Sequence, residues 1–149
     1  MQWPAQTEAV CRKLADATRV LAPTTVAGPT TGGVILAYEL ARQLGVRGIF
    51  AERDAAGGRS FQRDFRLTPG ERVLVVDDIL TSGASVRDTL AAVAASGGVA
   101  VGVAVVVDRS GGAVAFEGLP LAAATEFALA TYAPDDCPLC SAGVPLTVT

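Results

Sequence analysis

Hydrophobic residues follow two periodicities along the chain. Apolar positions three and four residues apart predict amphipathic helices over residues 5–20, over residues 33–44 and after Ser85, and glycines follow the second and third of these helices. Short apolar runs between the helices predict β-strands over residues 24–28, 46–52, 73–76, 99–107 and 126–132. Strands that alternate with helices indicate an α/β fold, with a mostly parallel central sheet flanked by helices and right-handed connections.

The segment between the second and third predicted strands has a pattern of its own. Residues 54–70 contain Phe61, Phe65 and Leu67 with a partial two-residue alternation, so we expect a hairpin or a flexible flap there. No internal repeat or linker interrupts the chain, and 149 residues are enough to bury one core. We therefore expect residues 1–149 to form a single domain.

Residues 73–85, VLVVDDILTSGAS, contain the strongest candidate for a functional site. Their four leading aliphatic residues predict a strand buried on both faces, and α/β sheets bind ligands at the carboxyl ends of such strands. Asp77 and Asp78 can accept hydrogen bonds from sugar hydroxyls, or face a Mg²⁺ ion that carries other phosphates. The following turn offers backbone N–H groups and hydroxyls to a phosphate at a helix N-terminus. It consists of Thr81, Ser82, Gly83, Ala84 and Ser85.

Two other interpretations of this stretch stay open. An aliphatic strand that ends in two aspartates also occurs in P-loop nucleotide-binding proteins, but those require a GxxxxGK[ST] loop. The only lysine here is Lys13, which is far from any glycine-rich loop. In a purely structural interpretation, Asp77 and Asp78 solubilise the end of a strand and Ser82 is an ordinary helix cap. A phosphorylated sugar accounts for all of these residues at once.

A second glycine-rich turn, GPTTGG, covers residues 28–33. Its glycines allow the backbone to pass close to a ligand, and Thr30 and Thr31 can cap the helix that follows. Five of the 12 Lys and Arg residues lie further along, between the second and third predicted strands. Their clustering near the carboxyl end of the sheet favours contact between one or more of them and a pyrophosphate. They are Arg53, Arg59, Arg63, Arg66 and Arg72.

Composition narrows the class of protein. Half of the residues are hydrophobic and 18% are charged, which excludes a disordered chain. The formal net charge of −3 argues against a general nucleic-acid-binding surface. No apolar run approaches the ~20 residues that a membrane span needs, and no signal-peptide pattern is visible, so we expect a cytoplasmic protein.

The cysteines are few and histidine is absent. Cys11, Cys137 and Cys140 cannot make a disulfide scaffold, and without histidine they cannot complete a four-ligand zinc site within one chain. Catalysis by a Ser-His or Cys-His pair is excluded for the same reason. The CPLC sequence at 137–140 favours a turn that folds back near the C-terminus, with a redox role or a metal site between subunits as the alternatives.

Residues 73–85 resemble the signature of the type I phosphoribosyltransferases, which binds 5-phosphoribosyl 1-pyrophosphate (PRPP). The similarity extends through residues 28–45, 50–53, 69–78, 107–112 and 135–146, and it is greatest to the orotate phosphoribosyltransferases. The resemblance implies a pentosyltransferase that moves the phosphoribosyl group of PRPP to orotate, giving orotidine 5′-monophosphate and pyrophosphate in pyrimidine nucleotide biosynthesis. It also implies the type I phosphoribosyltransferase fold, Mg²⁺ as cofactor and a homodimer.

The resemblance also implies roles for individual residues. Asp77 and Asp78 would bind the ribose hydroxyls and face the metal-bound pyrophosphate, with Mg²⁺ held mainly by PRPP. Residues 81–85 would hold the 5′-phosphate, and Arg109 together with Thr81 would bind orotate. The pyrophosphate would lie against Thr30, Thr31, Gly32 and Arg53.

The chain departs from the family pattern in two places. Family members carry a longer N-terminal segment, a hood that helps to close the base site, so we expect a reduced or absent hood here. Many orotate enzymes have a lysine and a histidine on the mobile loop, whereas Asp54 follows Arg53 in this chain. Arginines can replace them as cations but not as proton donors near neutral pH. The alternatives are therefore a PRPP-binding paralogue or regulator without catalysis, or a phosphoribosyltransferase for another nucleobase.

Overall fold

A six-stranded sheet lies at the centre of the computed structural model, which describes residues 1–127, 129–130 and 132–145. The strands are β1 (Thr25–Pro29), β2 (Arg47–Arg53), β3 (Arg59–Ser60), β4 (Arg72–Leu80), β5 (Val99–Asp108) and β6 (Leu121–Glu126). Their order across the sheet is β3-β2-β1-β4-β5-β6. All neighbouring strands run parallel except β2 and β3, which are antiparallel.

Four helices accompany the sheet: α1 (Pro4–Thr18), α2 (Gly32–Leu44), α3 (Ala84–Ala95) and the single turn α4 (Pro138–Ser141). The first three match the predicted helices, and α2 ends at Gly45 with the left-handed backbone conformation that glycine adopts readily. The predicted α/β class, with a mostly parallel sheet between helices, is confirmed. Among the described residues, no helix combines the length and the apolar character that a membrane span requires.

The core lies on both faces of β4, because successive side chains of a strand point to opposite faces. Leu74 and Val76 belong to the layer under α1 and α2, together with Leu14, Leu36 and Leu40. Val73 and Val75 belong to the layer under α3, together with Val86 and Val93. The four-residue apolar run therefore predicted correctly that this strand is buried on both faces.

The strand β4 continues beyond its apolar run. Asp77 pairs with Val105 of β5, and the pairing ends with Leu80 opposite Asp108. The two aspartates consequently lie within the last part of the strand instead of in the turn after it. Their side chains keep the alternation of the strand, which sends them to opposite faces of the sheet.

The last strand was predicted in the wrong place. The prediction was residues 126–132, of which Ala128 and Thr131 lie outside the described residues, whereas β6 covers Leu121–Glu126 and pairs with β5. Alanines 122–124 carry too little apolar pattern to indicate a strand, yet their small side chains fit at the edge of the sheet, where Ala124 is buried. Pairing with β5, a long-range contact, decides the position.

Residues 54–70 were predicted to form a hairpin or a flap, and a short hairpin is present, although it starts in β2 and residues 61–70 form no strand. Glu52 and Arg53 of β2 pair with Ser60 and Arg59 of β3. Asp54 shapes the intervening turn, because its Oδ1 accepts hydrogen bonds from the N–H groups of Ala56 and Gly58 at 2.9 and 3.0 Å. Flexibility of this segment stays a prediction.

Candidate active site at the carboxyl edge of the sheet

The predicted site residues gather at one edge of the sheet. Parallel strands bring their carboxyl ends together, so the segments that follow β1, β2, β4 and β5 become neighbours. These segments contain Thr30, Thr31 and Gly32 after β1, Arg53 at the end of β2, Asp77 to Ser85 at the end of β4, and Arg109 after β5. Residues that are up to 79 positions apart in sequence thus lie together at the carboxyl ends of the strands.

Asp77 and Asp78 serve two different turns because they point to opposite faces. Asp77 is 6% exposed and lines a small cavity with the turn 81–86 on the α3 side of the sheet. Asp78 lies against the start of α2, where a Cβ atom on Gly32 would come within 2.1 Å of Asp78 Oδ2. The two carboxyl groups therefore reach both glycine-containing turns of the site.

The carboxyl group of Asp77 is unusual in its ionisation. Burial raises the pKa of Asp77 to about 6, and the nearby charge of Asp78 acts in the same direction. A hydrogen bond of 2.9 Å from the Asp78 N–H to Asp77 Oδ1, together with the positive charge of Arg59, opposes this effect. Desolvation dominates, so the site without ligand holds a carboxyl group that takes up a proton near pH 6.

The turn after β4 is arranged as an anion cradle. Gly83 precedes α3 with φ of 78°, and no side chain caps the helix start. The first backbone N–H groups of this 12-residue helix therefore face a cavity of about 60 Å³. Ser82 is not the helix cap that the structural alternative required, since its Oγ accepts only a 3.4 Å hydrogen bond from Ala84 N–H. The cavity is lined by Asp77, Ile79, Thr81, Ser82, Gly83, Ala84, Ser85 and Val86.

The GPTTGG turn is held by close backbone approaches. A Cβ atom on Gly28 would come within 2.2 Å of the Gly33 carbonyl oxygen, so only glycine fits where β1 meets α2. The predicted capping of α2 by threonine is wrong, because Thr31 occupies the N-cap position but its side chain makes no capping hydrogen bond. The amides at the start of α2 therefore stay available to a ligand.

One arginine of the predicted cluster is buried at this edge. Arg59 is 8% exposed, and its guanidinium donates hydrogen bonds to Thr30 O at 3.1 Å and to Thr30 Oγ1 and Ala51 O at 3.2 Å. Its Nε has no hydrogen-bond partner among the described residues. Burial and the charge of Arg53 lower the pKa of Arg59, while Asp77 opposes this. Arg59 thus links the GPTTGG turn electrostatically to Asp77.

The other arginines of the cluster differ from Arg59. Arg53, predicted as the pyrophosphate ligand, is exposed. Arg63 pairs with Glu52 through two bonds of 2.8 and 2.9 Å, and Arg72 donates to carbonyls that precede β1. Sequence reasoning did not separate Arg59 from the group. The register of the hairpin, which pairs Arg59 with Arg53, becomes visible only in the structure.

A larger cleft lies beside the cradle. Arg109 and Thr81 both line this cavity of about 500 Å³, so the two residues predicted to bind one base are brought together. Arg109 is fixed by a 2.8 Å hydrogen bond from its N–H to Leu80 O, and its Nε has no partner among the described residues. The other lining residues are Ser82, Ser110, Ala113, Val114 and Leu129.

A metal ion would find few protein ligands here. The described residues contain no cluster of three or more His, Cys, Asp or Glu side chains suited to a metal. Asp77 and Asp78 supply two carboxylates from opposite faces. This donor set is compatible with Mg²⁺, which commonly binds one or two carboxylates together with water and substrate phosphates.

The raised pKa of Asp77 predicts a pH-dependent stability. The folded protein keeps this proton up to about pH 6, whereas the unfolded chain loses it near the ordinary value of 3.8. The neutral carboxyl group thus contributes stability that is complete below pH 3.8 and disappears as the pH rises through 6. Asp77→Asn removes this dependence. Relative to the variant, the wild type should lose about 1–3 kcal/mol of unfolding free energy between about pH 4 and about pH 7 in urea titrations.

The control for this measurement is Asp64→Asn, which alters an exposed carboxyl group on the flap. This variant is expected to follow the wild type at both pH values. A difference between wild type and Asp77→Asn that does not change with pH would contradict the assignment.

Known proteins share this fold and are similar in sequence. The model of the phosphoribosyl transferase domain matches residues 2–121. Orotate phosphoribosyltransferase from Pelotomaculum thermopropionicum is 47% identical over 145 residues, which cover 97% of this chain and 75% of that protein. The enzyme of the same name from Caldanaerobacter subterraneus subsp. tengcongensis is 43% identical with the same coverage.

Solved structures of phosphoribosyltransferases have the same fold as this chain. Mycobacterium tuberculosis orotate phosphoribosyltransferase in complex with inorganic phosphate has a TM-score of 0.65 and 28% identity, covering 80% of this chain and 70% of that one. A phosphoribosyltransferase from Corynebacterium diphtheriae has a TM-score of 0.72 and 26% identity, covering 84% and 77%. The chain therefore belongs to the phosphoribosyltransferase family and is similar over nearly its whole length to orotate phosphoribosyltransferases.

Proposed function

We propose that this protein transfers the phosphoribosyl group of PRPP to orotate, with release of orotidine 5′-monophosphate and pyrophosphate. The observation that carries the proposal is the cleft shared by Arg109 and Thr81, which adjoins the anion cradle at residues 81–86. Relatives named orotate phosphoribosyltransferase, at 42–47% identity, support the choice of substrate.

The 5′-phosphate of PRPP binds the turn 81–85 in this proposal. Free amides at the start of α3 and the positive end of its dipole favour a phosphate dianion, and the hydroxyls of Thr81, Ser82 and Ser85 add donors. Asp77 extends from the floor of the same cavity, so its carboxylate can accept hydrogen bonds from ribose hydroxyls next to the bound phosphate. Ribose hydroxyl donors favour the ionised form of Asp77 and offset its burial.

The pyrophosphate binds beside Thr30, Thr31 and Gly32, with Arg59 and Arg53 as the nearest cations. Arg59 is supported by its burial and by its bonds to Thr30, since a guanidinium that is already fixed loses little entropy when it pairs with phosphate oxygens. The carboxyl group of Asp78 lies next to Gly32 in the same turn. Mg²⁺, held by the pyrophosphate and these acids, would neutralise the negative charge of the leaving group.

Orotate binds through Arg109. Its planar guanidinium suits a bidentate pair with the carboxylate of the base, and Thr81 can donate or accept a hydrogen bond at the ring edge. The side chain has an unpaired Nε among the described residues and a backbone tied to β4, which favours a preset orientation.

The residues act on the reaction by position and charge. Pyrophosphate departs from C1 of the ribose, and the sugar gains the character of an oxocarbenium ion that the base nitrogen attacks. The cradle and Arg109 fix the two reactants in line, and the carboxylates of Asp77 and Asp78 balance the positive charge that develops on the sugar. No covalent nucleophile is needed.

We also propose that the protein is a homodimer in the cytoplasm and has no nucleic-acid partner. The homodimer is implied by the resemblance of the sequence to the family. Exposed Ile35 and Tyr38 on α2 support a contact with another protein chain. The net charge of −3 supports the absence of nucleic acid.

A second candidate function is PRPP binding without catalysis. It is favoured by the hairpin segment 54–70, which holds arginines but neither lysine nor histidine, so it contains no cation able to donate a proton near neutral pH. The two functions differ in one observable result: the second predicts PRPP binding without consumption of any base.

The direct test of the enzyme mixes the protein, PRPP, Mg²⁺ and orotate, and follows the loss of orotate absorbance. We expect turnover with orotate and none with the double variant Asp77→Asn, Asp78→Asn, which should stay folded by circular dichroism. PRPP binding in calorimetry without turnover supports the second candidate. Turnover with uracil or a purine in place of orotate overturns the substrate assignment.

Arg109→Ala tests the base contact. Loss of a charge-assisted pair costs about 1.5–3 kcal/mol, so the KM for orotate should rise about 10- to 150-fold while the KM for PRPP changes little. Arg12→Ala, an exposed arginine on α1, is the matched control and should leave both KM values unchanged. Equal increases of both KM values would argue against a base contact.

Arg59→Met tests the pyrophosphate contact, with Arg63→Met on the same hairpin as its control. The first substitution should raise the KM for PRPP about 10- to 150-fold, because a charge-assisted contact to the leaving group is lost. The second removes only an exposed ion pair with Glu52 and should have little effect. Arg59→Lys keeps the charge and should recover part of the affinity. Similar KM values in both Met variants would refute the assignment.

A further inference from the structure

The three cysteines occupy two different environments. Cys11 lies on α1 in the core with 0% exposure, and burial raises the pKa of its thiol to about 11. Cys137 is half-buried and Cys140 is exposed, and both thiols are free. Only Cys137 and Cys140 can meet reagents from solution, since a buried protonated thiol such as that of Cys11 is inert.

The backbone around α4 holds Cys137 and Cys140 in one helical turn. Residues three positions apart lie on the same side of such a turn. The N–H and Oγ–H of Ser141 donate to Cys137 O at 3.0 and 3.1 Å, which fixes the start of the turn. Its end is fixed where Gly143, with φ of 71°, donates its N–H to Cys140 O at 3.0 Å. The geometry of the turn therefore places the two thiols next to each other.

The two thiols also differ from each other. Hydrogen bonds from the Cys140 N–H, the Cys140 thiol and the Leu139 N–H lower the pKa of Cys137. The pKa of Cys140 is raised, mainly because its own thiol donates to Cys137. The charged groups nearest in sequence, Asp135 and Asp136, are exposed and belong to the preceding 3-10 turn. Of the two thiols, Cys137 therefore has the lower pKa, which favours it as the attacking group in thiol–disulfide exchange.

A metal site explains this pair less well. The described residues supply no third His, Cys, Asp or Glu side chain in a metal-binding cluster with these thiols. Cys11, the remaining cysteine, is enclosed in the core under α1. Two thiolates alone do not complete the four ligands of a structural zinc ion.

We propose that Cys137 and Cys140 form a reversible redox pair, which exchanges with low-molecular-weight disulfides and closes to an intramolecular disulfide. The Cys137 thiolate attacks one sulfur of a disulfide RSSR, so that a Cys137–SR bond forms and RS⁻ leaves. The Cys140 thiol then releases its proton to water, attacks the Cys137 sulfur and expels a second RS⁻. The protein loses two electrons and two protons, and RSSR is reduced to two RSH after protonation.

This pair is independent of the phosphoribosyl site. None of the residues from Cys137 to Cys140 lines the cradle at 81–86 or the cleft at Arg109. The exchange reaction needs neither PRPP nor orotate. Its outcome can therefore be read whether or not the proposed transferase activity is present.

The test incubates the reduced full chain with oxidised glutathione, blocks free thiols with N-ethylmaleimide and measures the intact mass. The wild type should lose two hydrogen atoms and bind one maleimide, at Cys11, only after denaturation. Dithiothreitol should restore the free thiols of Cys137 and Cys140. In Cys140→Ser, Cys137 should keep one glutathione as a mixed disulfide, because the thiol that resolves it is missing.

The asymmetry of the pair gives the matched control. Cys137→Ser leaves Cys140, and this thiol should react several-fold more slowly with glutathione or iodoacetamide than Cys137 does in Cys140→Ser. Equal rates in the two variants would overturn the assignment of Cys137 as the attacking thiol. A stable mixed disulfide in the wild type, a disulfide between chains on a non-reducing gel, or zinc released when the thiols are alkylated would each overturn the redox pair.

Discussion

The burial of β4 on both of its faces is the constraint on which the candidate site depends. A strand between two core layers must alternate its side chains strictly, and this alternation continues past the apolar run into Asp77 and Asp78. One carboxyl group therefore reaches the turn before α3 and the other reaches the start of α2. A strand with one solvated face would present only one of these carboxyl groups to a covered turn.

Close backbone approach completes the arrangement. The start of α2 comes so near to β1 and to Asp78 that the turn has no room for a Cβ atom at Gly28 or Gly32. The beginning of α3 is likewise reached through a glycine with positive φ, Gly83. Both turns thereby leave amides without side-chain caps at helix starts, and such amides attract anions. The same glycines that permit the fold create the two candidate anion sites.

Electrostatics at this edge combine burial with opposite charge. Asp77 is desolvated enough to hold a proton near pH 6, and Arg59 is desolvated enough to have its own pKa lowered. Each stabilises the charged form of the other, but neither is fully compensated before a ligand arrives. A ligand that offers hydroxyl donors to Asp77 and an anionic group to Arg59 would interact with these two groups more strongly than with exposed groups, because the local dielectric is low.

The sequence by itself determined the α/β class and the three main helices, and it predicted residues 73–85 as the centre of the candidate site. These depend on local patterns: valine runs, helical spacing and glycine turns. It misplaced the last strand at residues 126–132, because Leu121–Glu126 is held by pairing with β5 instead of by its own propensity. It also could not select Arg59 from five arginines, since only the folded hairpin brings Arg59 against Thr30, the residue after β1. Long-range pairing and desolvation have no local pattern, so the tertiary structure alone decided them.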